Sequence, residues 1–425
     1  MVEPPLLSVE EDFCIDQTAG RRECFVPLHT TDVVEFLSQH PALGPSQQAL
    51  FRELAALVLS LLHHLYRQRH EHLTYIYAPL DPDRDRLLMT VPTPASRDRL
   101  ARELFEQLPN VLHRANYHRL TAEQIEQAIS AASRWGVRMR IRLDTLDHLE
   151  VYGRGRVIAK RPLRVWQNLF RLRSVDVPLF QRVVVIFRTN SEFKSTQFDP
   201  QRVYLRMFKN VPQQDVDMLL PALGIQMSWL DHSRIVVPSL YAAGITLWRF
   251  LRNVLLLAFF GVFKTLALAV LVVFAVAFGL KSMFTYRTNT KRRYLLNMAQ
   301  SLYYQNLDNN AGVVLRLLEE GEQQEACEAV LAYFAVALLL PHQAGASTLP
   351  APDGPAAPVS LLEIDQACEA LLLEATQLNV DFDVESTLRN LSHLGILRAA
   401  GAGWQTLPLE QAVAALHRTW DDWFA

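Results

Sequence analysis

The spacing of apolar positions changes character four times along the chain. Residues 1–30 carry little periodicity and read as an extended lead-in. From Thr31 to residue 136 the intervals are helical. VVEFLSQH follows a cap at Thr31 or Asp32, and Pro45 and Ser46 open a longer helix striped by Leu54, Leu57, Val58, Leu61, Leu62 and Leu65. Tyr75–Leu80 reads as a strand and Arg97–Leu108 as an amphipathic helix. TAEQ at Thr121 reads as a capping box for a helix reaching Trp135. From Val137 the period shortens towards two, so residues 137–244 form an α+β unit with most of the sheet. Its strands are VRMRIRLD, a hairpin in HLEVYGRGRVI turning at Gly153–Gly155, the β-branched run QRVVVIFRT, RVYLRMF and Ile235–Val237, with a short helix at Pro212–Leu223.

Periodicity then disappears, because residues 245–284 are apolar almost throughout. Thr265–Leu280 contains no charge and no proline, and Lys264 and Lys281 flank it as cations able to snorkel to headgroups. The stretch is read as membrane-spanning, once or twice. Forty helical residues at about 1.5 Å each reach roughly 60 Å, twice the hydrocarbon core. A hairpin turning near Gly261–Thr265 puts Lys264 at the far surface, whereas a single pass leaves Val254–Phe263 in the interface or in protein. Residues 245–300 hold eight Lys and Arg and no Asp or Glu. Arg249 and Arg252 lie at one end, and Lys281, Arg287, Lys291, Arg292 and Arg293 lie at the other. Cationic flanks on both sides favour the hairpin and contact with an anionic lipid surface.

Helical spacing returns in 285–341, through Tyr294–Tyr304 and Ala311–Leu340. The Ala/Pro/Gly-rich segment 342–358 is the clearest linker. Beyond it, residues 359–425 show helical patterns at Ser360–Gln377, Val384–Leu394 and Leu409–Phe424, with ILRAAGAGWQTLP as a β-wing between the last two. The expected fold is therefore an α+β membrane-anchored protein: an N-terminal helical and α+β cytoplasmic region, a transmembrane helical hairpin or single span, and a C-terminal helical, winged-helix-like module.

Charge decides what that module is for. Residues 359–425 carry 10 Asp and Glu against 3 Arg and no Lys, and an acidic face repels phosphates, so nucleic acid is excluded as a partner and protein contact is favoured. No enzymatic signature stands out. Asp81, Asp83 and Asp85 begin like a calcium loop, but Arg86 replaces its glycine and Pro92 its closing glutamate. His63, His64, His70 and His72 lack metal spacing, and Gly153 and Gly155 lack the remainder of a nucleotide fingerprint. Four cysteines, Cys14, Cys24, Cys327 and Cys368, are too scattered for a disulfide framework or zinc site. No catalytic residue, metal or cofactor is expected. The acidic N-terminus lacks the pattern of a secretory or transit peptide, and arginine outnumbers lysine. A prokaryotic inner (plasma) membrane with both soluble regions cytoplasmic is expected.

Two segments carry a resemblance. YLRMFKNVPQQDVDMLLPALGIQMSWLDH at Tyr204–His232 contains FKNVP with Asp217, Leu219, Leu220 and Pro221; Tyr286–Tyr333 contains SLYYQNLDNNAG and EACEAVLAY. Over roughly residues 140–425 the chain resembles the transmembrane protein 143-like family of uncharacterised membrane proteins, which share a domain of unknown function. GRGR at 153–156 resembles that family's YxRG hairpin, while EEGEQQEAC departs from its usual acidic helix. The resemblance implies a membrane location and a C-terminal helical module, and no activity. In a hairpin arrangement both motifs face one surface. Lys209, Pro212, Asp308, Asn309, Asn310 and Gly312 are then a candidate docking or ligand site, with Asn309 or Asn310 capping the following helix and Gly312 allowing close approach. The expected function is a non-enzymatic, membrane-anchored scaffold that contacts protein partners or itself. The alternative is a membrane-surface enzyme or ligand-responsive regulator using these polar groups beside the basic belt.

Overall fold

A computed structural model describes residues 24–84, 93–121, 123–124, 138–141, 145–164, 172–190, 198–213, 216, 219, 223–226, 305–343, 358–401 and 403–424. The chain is mixed α and β with antiparallel sheets, and it divides into two units. The first comprises Met1–Leu120, Thr145–Gln213 and Leu307–Ala425; the second comprises the two excursions from it, Thr121–Asp144 and Gln214–Asn306. The whole apolar stretch 245–284 and its basic flanks, the candidate headgroup contacts at Arg249, Arg252, Lys281, Arg287, Lys291, Arg292 and Arg293 included, lie outside the described residues. So do Ile235–Val237, Asp85 and nearly all of the 342–358 linker.

In the first unit, α1 (Thr30–Ser38), α2 (Pro45–Tyr77) and α3 (Pro94–Arg114) precede the sheet. Proline opens α2 and α3, where a missing N–H costs nothing, and the Thr93 hydroxyl accepts from the Ser96 amide at 3.3 Å. The five-stranded sheet has the order β1–β3–β4–β5–β7, built from β1 (His118–Arg119), β3 (Leu146–Arg164), β4 (Leu172–Thr189), β5 (Tyr204–Pro212) and β7 (Asn306–Asn309). Its β1/β3, β3/β4 and β4/β5 pairs are antiparallel. β7 leads into α4 (Ala311–Phe334), which continues through a π-helical turn at Ala335–Leu339 to Gln343. Then come α5 (Leu361–Thr376), α6 (Val384–His393), the hairpin of β8 (Leu397–Ala400) with β9 (Gly403–Thr406), and α7 (Leu409–Phe424). The Ser360–Glu363 capping box sets the start of α5. In the second unit, β2 (Arg138–Ile141) pairs antiparallel with β6 (Leu223–Gln226), so the two excursions meet; the Thr121 capping box forms with Gln124.

Two hydrophobic cores run through the first unit, and α2 and α4 belong to both. The last turns of α2 (Leu73, Ile76, Tyr77) and the first of α4 (Val313, Val314, Leu317, Leu318) pack with α3 against one sheet face: Tyr152 of β3, Val184 and Ile186 of β4, and Leu205 and Met207 of β5. The early turns of α2 (Phe51, Leu54, Val58, Leu61) and the late turns of α4 (Val330–Val336) pack with α1, α5, α6 and α7. Residues 359–425, set apart in sequence by the Ala/Pro/Gly segment, thus complete a core begun by the N-terminal helices. Among the described residues α2 alone is long and apolar enough to cross a membrane; here its stripe is buried in these two cores.

Two local expectations are corrected. Tyr75–Leu80 is the end of α2 and a turn, because Leu73, Ile76 and Tyr77 extend the helix's buried stripe and tertiary packing outweighs aromatic and β-branched propensity. Gly153 and Gly155 turn no hairpin: β3 runs straight through them, Gly153 pairing with Val183 of β4. Gly155 has φ +69° and the Gln181 side chain lies where its Cβ would be, which accounts for glycine there.

Because α5–α7 bury the late turns of α4, a chain ending at residue 358 is expected to lose cooperative unfolding, with Phe334 and Val336 uncovered. Near-ultraviolet circular dichroism and limited proteolysis of that truncation check this; a native-like, protease-resistant fragment would contradict the shared core.

Candidate functional site

The structure places the FKNVP and LDNNAG motifs on neighbouring strands, β5 and β7. Lys209 is exposed on β5 opposite Arg182 of β4, and Pro212 is buried opposite Leu179. Asn309 is exposed at the end of β7, and the half-buried Asp308 faces Arg316 at 3.7 Å. An added Cβ at Gly312 would press on the Asp308 carboxylate, so a side chain there would require Asp308 to turn aside. No hydrogen bond or ion pair links Lys209 to Asp308, Asn309 or Asn310 among the described residues.

Asn310 sits at the N-cap position of α4, but its side chain caps nothing there. It is buried, and Oδ1 accepts from the Leu205 amide at 3.2 Å and the Tyr77 hydroxyl at 3.3 Å. Nδ2 donates to Asp83, and the backbone N–H donates to the Leu205 carbonyl at 2.8 Å. Asn310 therefore joins β5, α2 and the 81–83 turn to the start of α4. Its φ of 50° with ψ of −118° is a conformation in which glycine is the only comfortable alternative.

Among the described residues the largest concentration of buried charge lies further along α4, which the sequence suggests is amphipathic. Instead Gln324, Glu325 and Glu328 are buried, and each has partners from a different part of the chain. Glu320, at the edge of this row, accepts from the Tyr117 hydroxyl at 2.7 Å and gathers Arg154, Arg182 and Arg316 at 3.2, 3.7 and 3.7 Å. Arg154, the first arginine of the GRGR motif, is buried with its guanidinium 4.1 Å from the Phe25 ring centroid and 4.7 Å from that of Tyr117. Gln324 bonds both backbone groups of Val26 at 2.9 Å, pinning the entering N-terminal segment. Glu325 pairs with Arg114 of α3 and with Arg69 of α2 at 3.7 Å. Glu328 accepts from Asn116 at 3.0 Å and from Thr387 of α6 at 3.3 Å. These residues escaped sequence reading because a run of glutamates ordinarily marks a wet surface. The signal was their interleaving with Ala326, Cys327, Ala329 and Val330, which leaves the helix no polar side.

Beside Glu325 the helices leave a cavity of about 730 Å³, lined by Leu62, Leu65 and Arg69 of α2, Asn110, His113 and Arg114 of α3, Ser386, Arg389, Asn390 and His393 of α6, Leu394, and Trp423 of α7. Among the described residues no group of three or more His, Cys, Asp or Glu side chains is placed to hold a metal ion. His63 instead contacts Glu322 at 2.9 Å, His64 lies 3.0 Å from Gln68, His70 3.5 Å from Thr74, and His72 3.0 Å from Gln107.

A family model described as a protein of unknown function (DUF3754) matches residues 180–312. The matched span takes in most of β4, β5, β6, the apolar stretch, and the corner from β7 through Asn310 to Gly312. No solved structure matches the chain.

Two expected outcomes follow from these contacts. Asn310→Ala removes three side-chain hydrogen bonds and strains the corner, and is expected to cost roughly 3 kcal/mol in chemical denaturation; Asn310→Gly, which keeps the backbone comfortable, should cost less. Burial, reinforced by the Asp383 and Glu325 carboxylates and opposed by the Asn116 and Thr387 hydrogen bonds, pushes the Glu328 carboxyl up from 4.5 to about 8. The folded state then holds this proton more tightly than the unfolded state, so stability falls as pH rises from about 4.5 to about 8 and levels beyond. Glu328→Gln removes that titration. Its denaturation midpoint should vary less between pH 5 and pH 8 than that of the unsubstituted chain, by a few kcal/mol at about 1.36 kcal/mol per tenfold change in proton affinity.

Proposed function

We propose that this chain is a membrane-anchored interaction protein whose folded body lies on one side of the bilayer, tethered by a hairpin formed by residues 245–284. The observation that carries this reading is the adjacency of β5 and β7. The excursion that contains the apolar stretch leaves from the end of β5 and returns at β7, so a stretch entering the membrane has to come back to the side it left. Cationic flanks on both sides accord with that return and with an anionic headgroup surface beneath the body. The DUF3754 match takes in Tyr204–His232 and the corner through Gly312, two of the segments on which the likeness to the transmembrane protein 143-like family rests.

Protein contact falls to the C-terminal elements, whose helix–helix–hairpin–helix order is that of a winged-helix-like module. Glu363, Glu374, Glu385, Glu410, Asp421 and Asp422 are exposed there, and α5 also presents Leu361, Leu362 and Leu373 to solvent. An acidic surface with scattered leucines suits a basic, partly apolar protein partner and repels nucleic acid. The body is read as cytoplasmic at a prokaryotic inner membrane, in keeping with the positive flanks.

Cysteine labelling in sealed, oriented vesicles tests the arrangement. The native thiols serve poorly: Cys327 and Cys368 are buried, and burial pushes the Cys327 thiol up to about 12 and raises that of Cys368 as well. With Cys14 and Cys24 replaced by serine, single cysteines at the exposed Tyr75 and Leu362 should react with an impermeant maleimide from the same side, and Lys264→Cys from the opposite side only. Tyr75→Cys and Leu362→Cys reacting from opposite sides, or Lys264→Cys reacting from the side of the body, would overturn the hairpin.

A further inference from the structure

The cavity between α2, α3, α6 and α7 is distinct from the docking surface just described, and its lining is chemically one-sided. Three guanidinium groups, Arg69, Arg114 and Arg389, meet one carboxylate, Glu325, which is only 3 % exposed and already shared by Arg69 and Arg114. Arg389 donates Nε to the Glu385 carbonyl at 3.2 Å, and among the described residues no carboxylate pairs with it. The His113 and His393 rings line the same side, and Asn110, Asn390 and Ser386 supply neutral donors. The remaining wall is apolar: Leu62, Leu65, Leu394 and the Trp423 indole, itself held 5.8 Å from the His64 ring. At about 730 Å³ the space lies within the 300–1,000 Å³ typical of small-molecule sites.

We propose that this cavity binds a small phosphomonoester carrying a compact apolar group. Guanidinium forks at Arg114 and Arg389 take the phosphate, since arginine matches its oxygens two at a time. The apolar group lies against Leu62, Leu65 and Trp423. In the unliganded protein Glu325 serves as the internal counter-anion of Arg69 and Arg114, and the ligand's phosphate competes with it. The cavity walls come from both the N-terminal helices (α2, α3) and the C-terminal helices (α6, α7), so an occupant bridges the two ends of the chain.

The test is a titration of the full chain in detergent with phenyl phosphate, followed by tryptophan emission and by equilibrium dialysis, with benzyl alcohol as the uncharged control. Saturable binding that weakens with added salt is expected, with the emission change lost in Trp423→Phe. Arg389 is exposed and outside both cores, so Arg389→Gln should fold normally and weaken binding by about tenfold or more. Glu325→Gln releases Arg69 and Arg114 and should tighten binding several-fold, a gain that a merely structural pair would not give. A short-chain phosphatidic acid titrated below its micellar concentration distinguishes the source: tighter binding than phenyl phosphate assigns the phosphomonoester to a lipid, weaker binding to a soluble ester. Absence of saturation at millimolar phenyl phosphate, or equal affinity in the unsubstituted chain and Arg389→Gln, would overturn the proposal.

Discussion

The first unit depends on burying one helix that carries carboxylates. From Gln324 to Val336, α4 has hardly any solvent-facing surface, yet Glu325 and Glu328 lie within that stretch. Burying an unmatched charge costs far more than a domain's net stability, so each carboxylate requires a partner or a retained proton. Arg69 and Arg114 answer Glu325, Asn116 and Thr387 answer Glu328, and at its edge Arg154 and Arg182 answer Glu320. These partners come from α2, α3, β3, β4 and α6. Ion pairs of this kind add little net stability over apolar packing, but removing one partner costs about 3–5 kcal/mol, so they penalise any packing that fails to bring all these elements to α4.

This constraint also explains the order of the chain. α4 begins where the excursion through 214–306 ends, at a corner fixed by Asn310 to Leu205 and Tyr77. Its first turns then complete the core over the sheet, and its later turns form the floor for α5, α6 and α7. A segment hundreds of residues from the N-terminus thus closes both cores, and the excursion through 214–306 has both of its ends held on neighbouring strands of one sheet. The cavity beside Glu325 arises from the same convergence: α2, α3, α6 and α7 meet beside a buried carboxylate of α4, and the arginines that neutralise it line the space they leave.

Legibility in the sequence followed whether a signal was local. The capping box at Thr121, the proline start of α2 and the run QRVVVIFRT within β4 rest on contacts within a few residues, and each is found in the structure. The end of α2 was misread because Tyr75, Ile76 and Tyr77 favour strands locally, while the buried positions that Ile76 and Tyr77 fill belong to a helix face. The GRGR segment was misread because two glycines signal a turn, whereas here they admit the Gln181 side chain and the Phe180 ring against a continuous strand.

The sequence by itself determined the apolar stretch 245–284 with its cationic flanks, the acidic C-terminal region and most helix starts, because composition, charge and capping are properties of short segments. Only the tertiary structure decided which face of α4 is wet, that Asn310 is a cross-link rather than a cap, that β5 and β7 are neighbours, and that an arginine-rich cavity lies between α2, α3, α6 and α7. Each of those depends on contacts between residues far apart in the chain, and no local period or motif encodes whether a glutamate will meet water or an arginine some two hundred residues away.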